Sequence, residues 1–181
     1  MARGERGRRQ AGRKKVLRTC GRSRELHCMI APTDPESLML PTSVMMEVID
    51  YSAPEPIEAA PPWLLGQVEW ENRNVPVFSF SSLINGEKPG GLPERPHIMI
   101  LKSLSDSARV PYLGVLLSGL PRPVTVNEDD VNETGDDKKS MGVFSRIRCG
   151  KDEAIVPDLD RLTHLITHAA FGALPITQLD D

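Results

Sequence analysis

The sequence predicts a mainly β domain that ends in one helix. Three observations predict it. Short apolar runs bounded by Pro, Gly, Asn and Asp recur along the chain, two neighbouring runs have the pattern of a β-hairpin, and helical periodicity is clear only near the C-terminal end. With 181 residues, of which 39% are hydrophobic, the chain is long enough to close the core of one domain.

The first predicted strands follow a basic N-terminal segment. "ELHCMIA" (25–31) is an apolar run that ends at "PTDPES", where two prolines and an aspartate favour a turn. "LMLP" (38–41) is therefore predicted to be its antiparallel partner. Thr42 or Ser43 then suits the N-cap of a short helical turn that continues through Val48.

A proline-rich connector leads into the clearest pattern of the chain. "SAPEPIEAAPP" (52–62) contains too many prolines for a helix or a sheet and predicts an ordered loop. Residues Leu64 to Trp70 and Val75 to Phe80 are two β-rich arms. "ENRN" between them contains Asn, which tolerates the left-handed conformation of a tight turn.

Two residues of this hairpin predict local irregularity. Pro76 cannot donate a hydrogen bond to a neighbouring strand, so its strand is predicted to lie at an edge or to carry a bulge. Gly66 predicts a bulge or a close approach of another backbone segment. Both features are typical of a small, strongly curved barrel.

The second half predicts a similar organisation. "HIMILKS" (97–103) and "VPYLGVLLSGL" (110–120) form another strand pair, and residues 126–140 form an acidic, mobile loop. A second hairpin, 142–157, is predicted to turn at Gly150-Lys151-Asp152. A helix is then expected to begin near Pro157 and Asp158, with an apolar stripe of Leu162, Leu165, Ile166 and Ala169.

Charge divides the chain into two parts. Residues 1–24 carry ten Lys and Arg and one acid, a net charge of +9, which leaves −12 for residues 25–181 because the whole chain has −3. With few apolar residues, the segment 1–23 is predicted to be a disordered arm. Three interpretations of this arm remain open. It is a contact for nucleic acid or anionic lipid, it is a solvated tail, or it results from a start codon assigned too far upstream.

Residues suited to catalysis or metal binding form no recognisable pattern. Cys20, Cys28 and Cys149 have no C-x-x-C spacing, so reduced thiols are expected. His164 and His168 have a spacing that metal sites use, but the sequence places no third ligand, which favours a solvated or core-edge pair. No nucleophile elbow or phosphate loop is present. We expect no enzyme, no cofactor and no metal; a cytoplasmic location is expected because no apolar run is long enough for a membrane span.

The strings "LPTSVMMEVIDY" and "WLLGQVEWENRNVPVFSFSSLI", joined by the connector, resemble the CheW family of chemotaxis coupling proteins in the order and spacing of their motifs. Within that family, "ELHCMIAP", "WLLG", "PVFSF", "LPRP" and "IVPDLDRL" are most similar to the divergent CheW-like proteins of type IV pilus (twitching motility) chemosensory systems. The resemblance implies two intertwined five-stranded β-barrels related by a pseudo-twofold axis. It covers roughly residues 24–170, which leaves 171–181 as a C-terminal tail.

The chain departs from the family pattern at three positions. Glu71 stands where an Arg is usual in the family, and Ser79 and Ser118 stand where an Asp is usual. The change at Glu71 reverses the local charge, so these departures indicate a partner surface with its own charge pattern.

The resemblance implies a non-enzymatic scaffold that couples the cytoplasmic tip of a methyl-accepting chemoreceptor to a CheA-type histidine kinase, recruited to membrane receptor arrays without inserting into the membrane. The alternative is a small-barrel nucleic-acid-binding protein guided by the basic arm; the net charge of −12 on residues 25–181 argues against it.

The methionines near Val44 are suited either to an adaptable interface or to the core. The same two alternatives apply to Trp63 and Trp70. The predicted protein-binding residues are Val44, Met45, Glu47, Val48, Gly66, Glu71, Leu113, Gly114 and Val115.

Overall fold

A computed structural model of the chain describes residues 25–104, 109–127, 131–134 and 140–172. The predicted arm (1–23) and residues 173–181 of the predicted tail lie outside the described residues, as does part of the predicted acidic loop. The elements in chain order are β1 Leu26–Pro32, β2 Ser37–Pro41, a 3-10 turn Thr42–Val44, β3 Met45–Asp50, β4 Leu64–Trp70, β5 Arg73–Phe78, α1 Phe80–Asn85, β6 His97–Lys102, β7 Tyr112–Leu117, β8 Arg122–Val126, β9 Val131–Glu133, β10 Val143–Cys149, β11 Asp152–Pro157 and α2 Leu159–Phe171.

The strands form two sheets, and the first combines both ends of the described chain. Its order is β8-β1-β2-β11-β10-β9, whereas the second sheet has the order β3-β6-β7-β5-β4 and comes from the middle of the chain. The C-terminal hairpin therefore completes the sheet that the N-terminal hairpin begins, through the parallel pairing of β11 with β2. This organisation agrees with the mainly β fold expected from the sequence, except that the first sheet has six strands rather than five.

Many strands are buried on both faces. In β6, Ile98 and Ile100 pack in a cluster within the second sheet, whereas Met99 and Leu101 pack in a larger cluster that includes residues of both sheets and α2. Cys28 and Ile30 of β1 belong to a third cluster within the first sheet. Alternate side chains of a strand point to opposite faces, so each sheet fills its own curl with one face and packs on the central core with the other.

A side-chain hydrogen bond joins the two edges of the second sheet. β3 and β4 are the outermost strands, yet the indole Nε1–H of Trp70 on β4 donates to Oε2 of Glu47 on β3 over 2.7 Å. The sheet must therefore curl until its edges meet, which is the barrel-like curvature that Gly66 and Pro76 predicted.

The structure corrects the prediction for residues 42–48. Only Thr42–Val44 form a 3-10 turn, and Met45 to Asp50 form a strand paired with β6. No side chain caps the turn; the hydroxyl of Thr42 donates instead to the backbone carbonyl of His27. Pairing with β6 outweighs the local capping signal because it buries Val48 and Ile49 against other parts of the protein.

The second arm of the hairpin also ends earlier than predicted. β5 ends at Phe78, and Phe80 begins α1, whose N-terminus is capped by Ser79: its hydroxyl accepts from the backbone N–H of Ser82. β5 is not an edge strand, so that part of the Pro76 prediction is wrong. The pairing of β5 with β7 begins at Val77. The bulge of the β4–β5 ladder lies on β4 rather than on β5, so the alternative of a bulge on the Pro76 strand is wrong as well.

Some of the other predicted elements are confirmed by the structure, and some observed elements were not predicted. The pairing of β1 with β2, the β10–β11 hairpin and the helix after Asp158 are confirmed. Three elements were not predicted: α1, β8 and the short β9, which lies inside the predicted acidic loop and pairs with β10. On α2, Leu162 and Ile166 are buried in the core as predicted, whereas Leu165 is only half-buried.

Candidate protein-interaction surface

The structure places seven of the nine predicted binding residues in the second sheet or on its edge, in neighbouring rows. Glu47 pairs with Ile100, Ile100 with Gly114, Gly114 with Val77, and Val77 with Gly66. One transverse row thus contains three predicted residues: Glu47, Gly66 and Gly114. The flanking rows contain the other four, Met45 and Leu113 on one side and Val48 and Val115 on the other.

Gly114 allows this row to pack closely. A Cβ atom on Gly114 would lie 2.9 Å from Cγ2 of Val77 and 3.2 Å from Cγ2 of Ile98. Both neighbours belong to the cluster inside the second sheet, so any larger residue would force them apart. Gly114 therefore fixes the curvature of the sheet rather than presenting a side chain.

Gly66 allows another backbone segment to approach the outer strand β4. It has φ +140°, and a Cβ atom there would lie only 2.2 Å from the carbonyl oxygen of Glu55. Glu55 belongs to the proline-rich connector and exchanges two backbone hydrogen bonds of 2.8 Å with Gln67. Both parts of the Gly66 prediction are confirmed, since β4 carries a bulge there and the connector approaches closely.

The β4–β5 turn presents Glu71 to solvent. Trp70 pairs with Arg73, and the two residues between them have positive φ, 49° for Glu71 and 59° for Asn72. This is the geometry of a two-residue turn whose backbone matches the twist of the strands. The left-handed conformation of Asn72 agrees with the expectation for this turn, whereas that of Glu71 was not predicted.

Aromatic contacts hold the base of this turn. Trp70 makes an edge-on contact with Tyr112, with the ring centroids 4.9 Å apart, and the guanidinium of Arg73 lies 5.9 Å from the Tyr112 centroid. Trp70 is only 8% exposed and also donates to Glu47. The position of the turn is therefore coupled to the opposite edge strand through the Trp70 ring.

The predicted residues differ in their access to solvent. Glu47 and Glu71 are exposed, and Met45 and Val48 are half-buried against the central core. Val44, Leu113 and Val115 are buried, so their contribution to a partner surface would be indirect. Met46, at the bulge of the β3–β6 ladder, is 45% exposed and was not among the predicted binding residues. Periodicity does not reveal such a bulge.

The histidine pair lies on an exposed face of α2. His164 Nε2 is 3.9 Å from Oδ1 of Asp160, and His168 is also exposed. Among the described residues, no group of three His, Cys, Asp or Glu side chains is placed to hold a metal ion. Nor does any helix within those residues have the length and apolar character needed to cross a membrane.

Two cysteines lie in the first sheet. Cys28 and Cys149 are free and contact the same apolar cluster. Burial raises the pKa of the Cys28 thiol, and the neighbouring Cys149 adds to this effect. A raised pKa keeps the thiol protonated and poorly nucleophilic, which fits a packing role for Cys28.

Comparison with known proteins identifies the family. The model of the CheW-like domain matches residues 27–166, which include both sheets and most of α2. No curated protein sequence matches the chain. The crystal structure described as scaffolding protein TtCheW from Thermoanaerobacter tengcongensis is similar to this chain, with a TM-score of 0.66 and 14% sequence identity over 84% of this chain and 99% of that chain. The family match spans well over half of the sequence, and the protein therefore belongs to the CheW-like domain family.

Proposed function

We propose that the protein is a non-enzymatic scaffold that couples a chemoreceptor to a CheA-type histidine kinase in bacterial chemosensory signalling. The observation that carries the proposal is the CheW-like match over residues 27–166, because it spans both sheets rather than one motif. The similar structure from Thermoanaerobacter tengcongensis is itself described as a scaffolding protein, which supports the same role.

The partner-binding surface of this proposal is the outer rim of the second sheet. Exposed Met46 and Glu47 lie on β3, and exposed Glu71 lies at the β4–β5 turn. The bond between Glu47 and Trp70 links these two parts. Buried Gly66 and Gly114 support the rim by fixing the packing beneath it, so a partner meets a surface that is already shaped for binding.

Charge at the turn gives the rim its selectivity. Glu71 presents a carboxylate where the family usually has an Arg, and like charges across an interface disfavour the wrong partner. A partner complementary to this protein therefore carries a cation opposite Glu71.

Calorimetric titration with the cognate receptor fragment and kinase tests this surface. Glu71→Arg and Met46→Asp are expected to weaken binding of at least one partner about tenfold or more, because each places a charge in an unfavourable contact. Glu87→Arg is the matched control, since Glu87 is exposed in the loop after α1. Unchanged affinity for both rim variants, with circular dichroism showing intact folding, would place the working surface elsewhere on the domain.

The system served is proposed to be the one that controls type IV pilus motility. The support is the sequence similarity of "WLLG", "PVFSF" and "IVPDLDRL" to the divergent members of the family. Deletion of the gene is expected to reduce surface twitching and leave flagellar swimming unchanged. The opposite outcome would assign the protein to a flagellar system.

The alternative of nucleic-acid binding is not favoured. The family match covers the folded domain. Residues 25–181 carry a net charge of −12, which repels a polyanion. A salt titration with single-stranded and duplex DNA should therefore detect no binding by the body once residues 1–23 are removed.

A further inference from the structure

A groove beside α2 is lined by cationic and apolar side chains. It has a volume of about 430 Å³ between Arg109 and one face of α2, and its surface is mostly apolar. A second depression of about 230 Å³ is lined by Arg73 and Tyr112 near the β4–β5 hairpin. Arg109 lines both, so the second depression adjoins the groove beside α2.

The residues of α2 that line the groove lie on one face of the helix. Arg161, Leu165, His168 and Phe171 all line it, and residues three or four apart lie on the same side of a helix. Leu165 is half-buried and Phe171 is 55% exposed. The predicted apolar stripe of α2 therefore divides in two: Leu162 and Ile166 pack in the core, and Leu165 remains on the groove side.

The arginines of the groove differ from those of the first sheet. Arg122, Arg146 and Arg148 each form an ion pair with a carboxylate, Asp152, Glu36 and Glu153 respectively. Among the described residues, Arg73, Arg109 and Arg161 form none within 4.0 Å. Arg109 and Arg161 line the groove beside α2 and Arg73 lines the adjoining depression, on a body that otherwise carries a net negative charge.

We propose that this groove binds an acidic amphipathic segment of a partner protein. These arginines supply the charge complement for carboxylates, and Leu165 and Phe171 supply an apolar contact that a hydrophilic polyanion cannot use. From Arg161 to Phe171, α2 spans about 15 Å, at about 1.5 Å per residue. A bound helix of about three turns has the same length, with apolar residues facing α2 and acids facing the arginines.

The test uses a fluorescein-labelled 14-residue peptide of Leu and Glu in an amphipathic helical pattern. Binding to the full-length protein is measured by fluorescence anisotropy. Micromolar affinity is expected, with at least a tenfold loss for Arg161→Glu and for Arg109→Glu. Arg95→Glu is the matched control, because Arg95 is exposed and does not line the groove; its affinity should stay within twofold.

Two control peptides separate the contributions of charge and apolar surface. Replacing every Glu by Lys, or every Leu by Ser, should weaken binding at least tenfold. Equal binding of either control, or equal affinity of the arginine variants and the native chain, would overturn the proposal. Tighter, arginine-dependent binding of a DNA oligonucleotide would also overturn the proposal and would identify a nucleic acid as the ligand of the groove.

The chain itself offers one competing occupant. "ALPITQLDD" (173–181) follows Gly172, which lines the groove, and contains both apolar and acidic residues. If the Leu/Glu peptide binds only to a variant that ends at Gly172, the groove is a site for this segment, and the proposal of an external partner is wrong. Receptor and kinase binding by Arg161→Glu is measured in parallel, so that failure of the groove proposal is distinguished from failure of the scaffold proposal.

Discussion

Replacing Gly66 by Ala tests how the connector is held against the hairpin. The new Cβ atom would lie 2.2 Å from the carbonyl oxygen and 2.7 Å from the carbonyl carbon of Glu55, and backbone cannot yield as a flexible side chain can. Positive φ at +140° adds strain of about 1–3 kcal/mol for any residue with a Cβ. Moving Glu55 away also disrupts its two hydrogen bonds with Gln67, each worth about 1 kcal/mol net.

These contributions sum to a loss of roughly 3–5 kcal/mol of unfolding free energy. Gly91→Ala is the matched control, because Gly91 has φ +125° but no atom within 4 Å of its would-be Cβ; it should lose only the strain contribution. Urea denaturation followed by circular dichroism measures both variants. If Gly66→Ala is no more destabilising than Gly91→Ala, the close approach of the connector does not constrain the hairpin.

Three further predictions concern single side chains. Trp70→Phe is expected to lower the free energy of unfolding by about 1–3 kcal/mol, since it removes the hydrogen bond to a carboxylate that joins the edges of the second sheet; no loss in urea denaturation would contradict that closure. Asp158→Ala should cost about 1 kcal/mol because Oδ1 of Asp158 accepts from the N–H of Arg161 at the start of α2, and an equal cost for Asp160→Ala, on the exposed first turn, would argue against the cap. Because the pKa of Cys28 is raised in the folded state, its contribution to stability is complete below the ordinary thiol pKa of about 8.5 and is lost as pH rises above it. The stability advantage of the native chain over Cys28→Ala should therefore narrow above that pH in denaturation curves, and a constant difference would contradict the assignment.

Local signals in the sequence predicted the elements that local chemistry determines. The β4–β5 hairpin follows from its alternating apolar residues and its Asn-containing turn, and α2 follows from Asp158 and the spacing of Leu162 and Ile166. The irregularity at Gly66 was also predictable, because only glycine tolerates both positive φ and a backbone so close.

Long-range pairing explains what the sequence did not predict. Residues 45–48 form a strand because β6 lies beside them, about fifty residues later in the chain. Likewise, β8 lies beside β1 and not beside a sequence neighbour. The groove beside α2 could not be predicted for the same reason, since Arg109 and Arg161 lie far apart in sequence and line one groove only in the folded chain.

Sequence patterns also did not predict which of the site residues are buried. Leu113 and Val115 alternate with Gly114 as residues of a half-exposed strand would, yet neither has any exposed surface. The second sheet packs on the central core with one face and on its own curled interior with the other. Periodicity alone does not distinguish this arrangement from a strand with one face in solvent.

The proposed coupling role is tested most directly by co-sedimentation of the cognate CheA-type kinase with an assembled receptor signalling fragment, with and without this protein. We expect the kinase to sediment with the receptor only when the protein is present, and we expect Glu71→Arg to reduce the recovered kinase at least severalfold while Glu87→Arg does not. Equal recovery of the kinase in the presence and absence of the protein would contradict the proposal that it is a coupling scaffold.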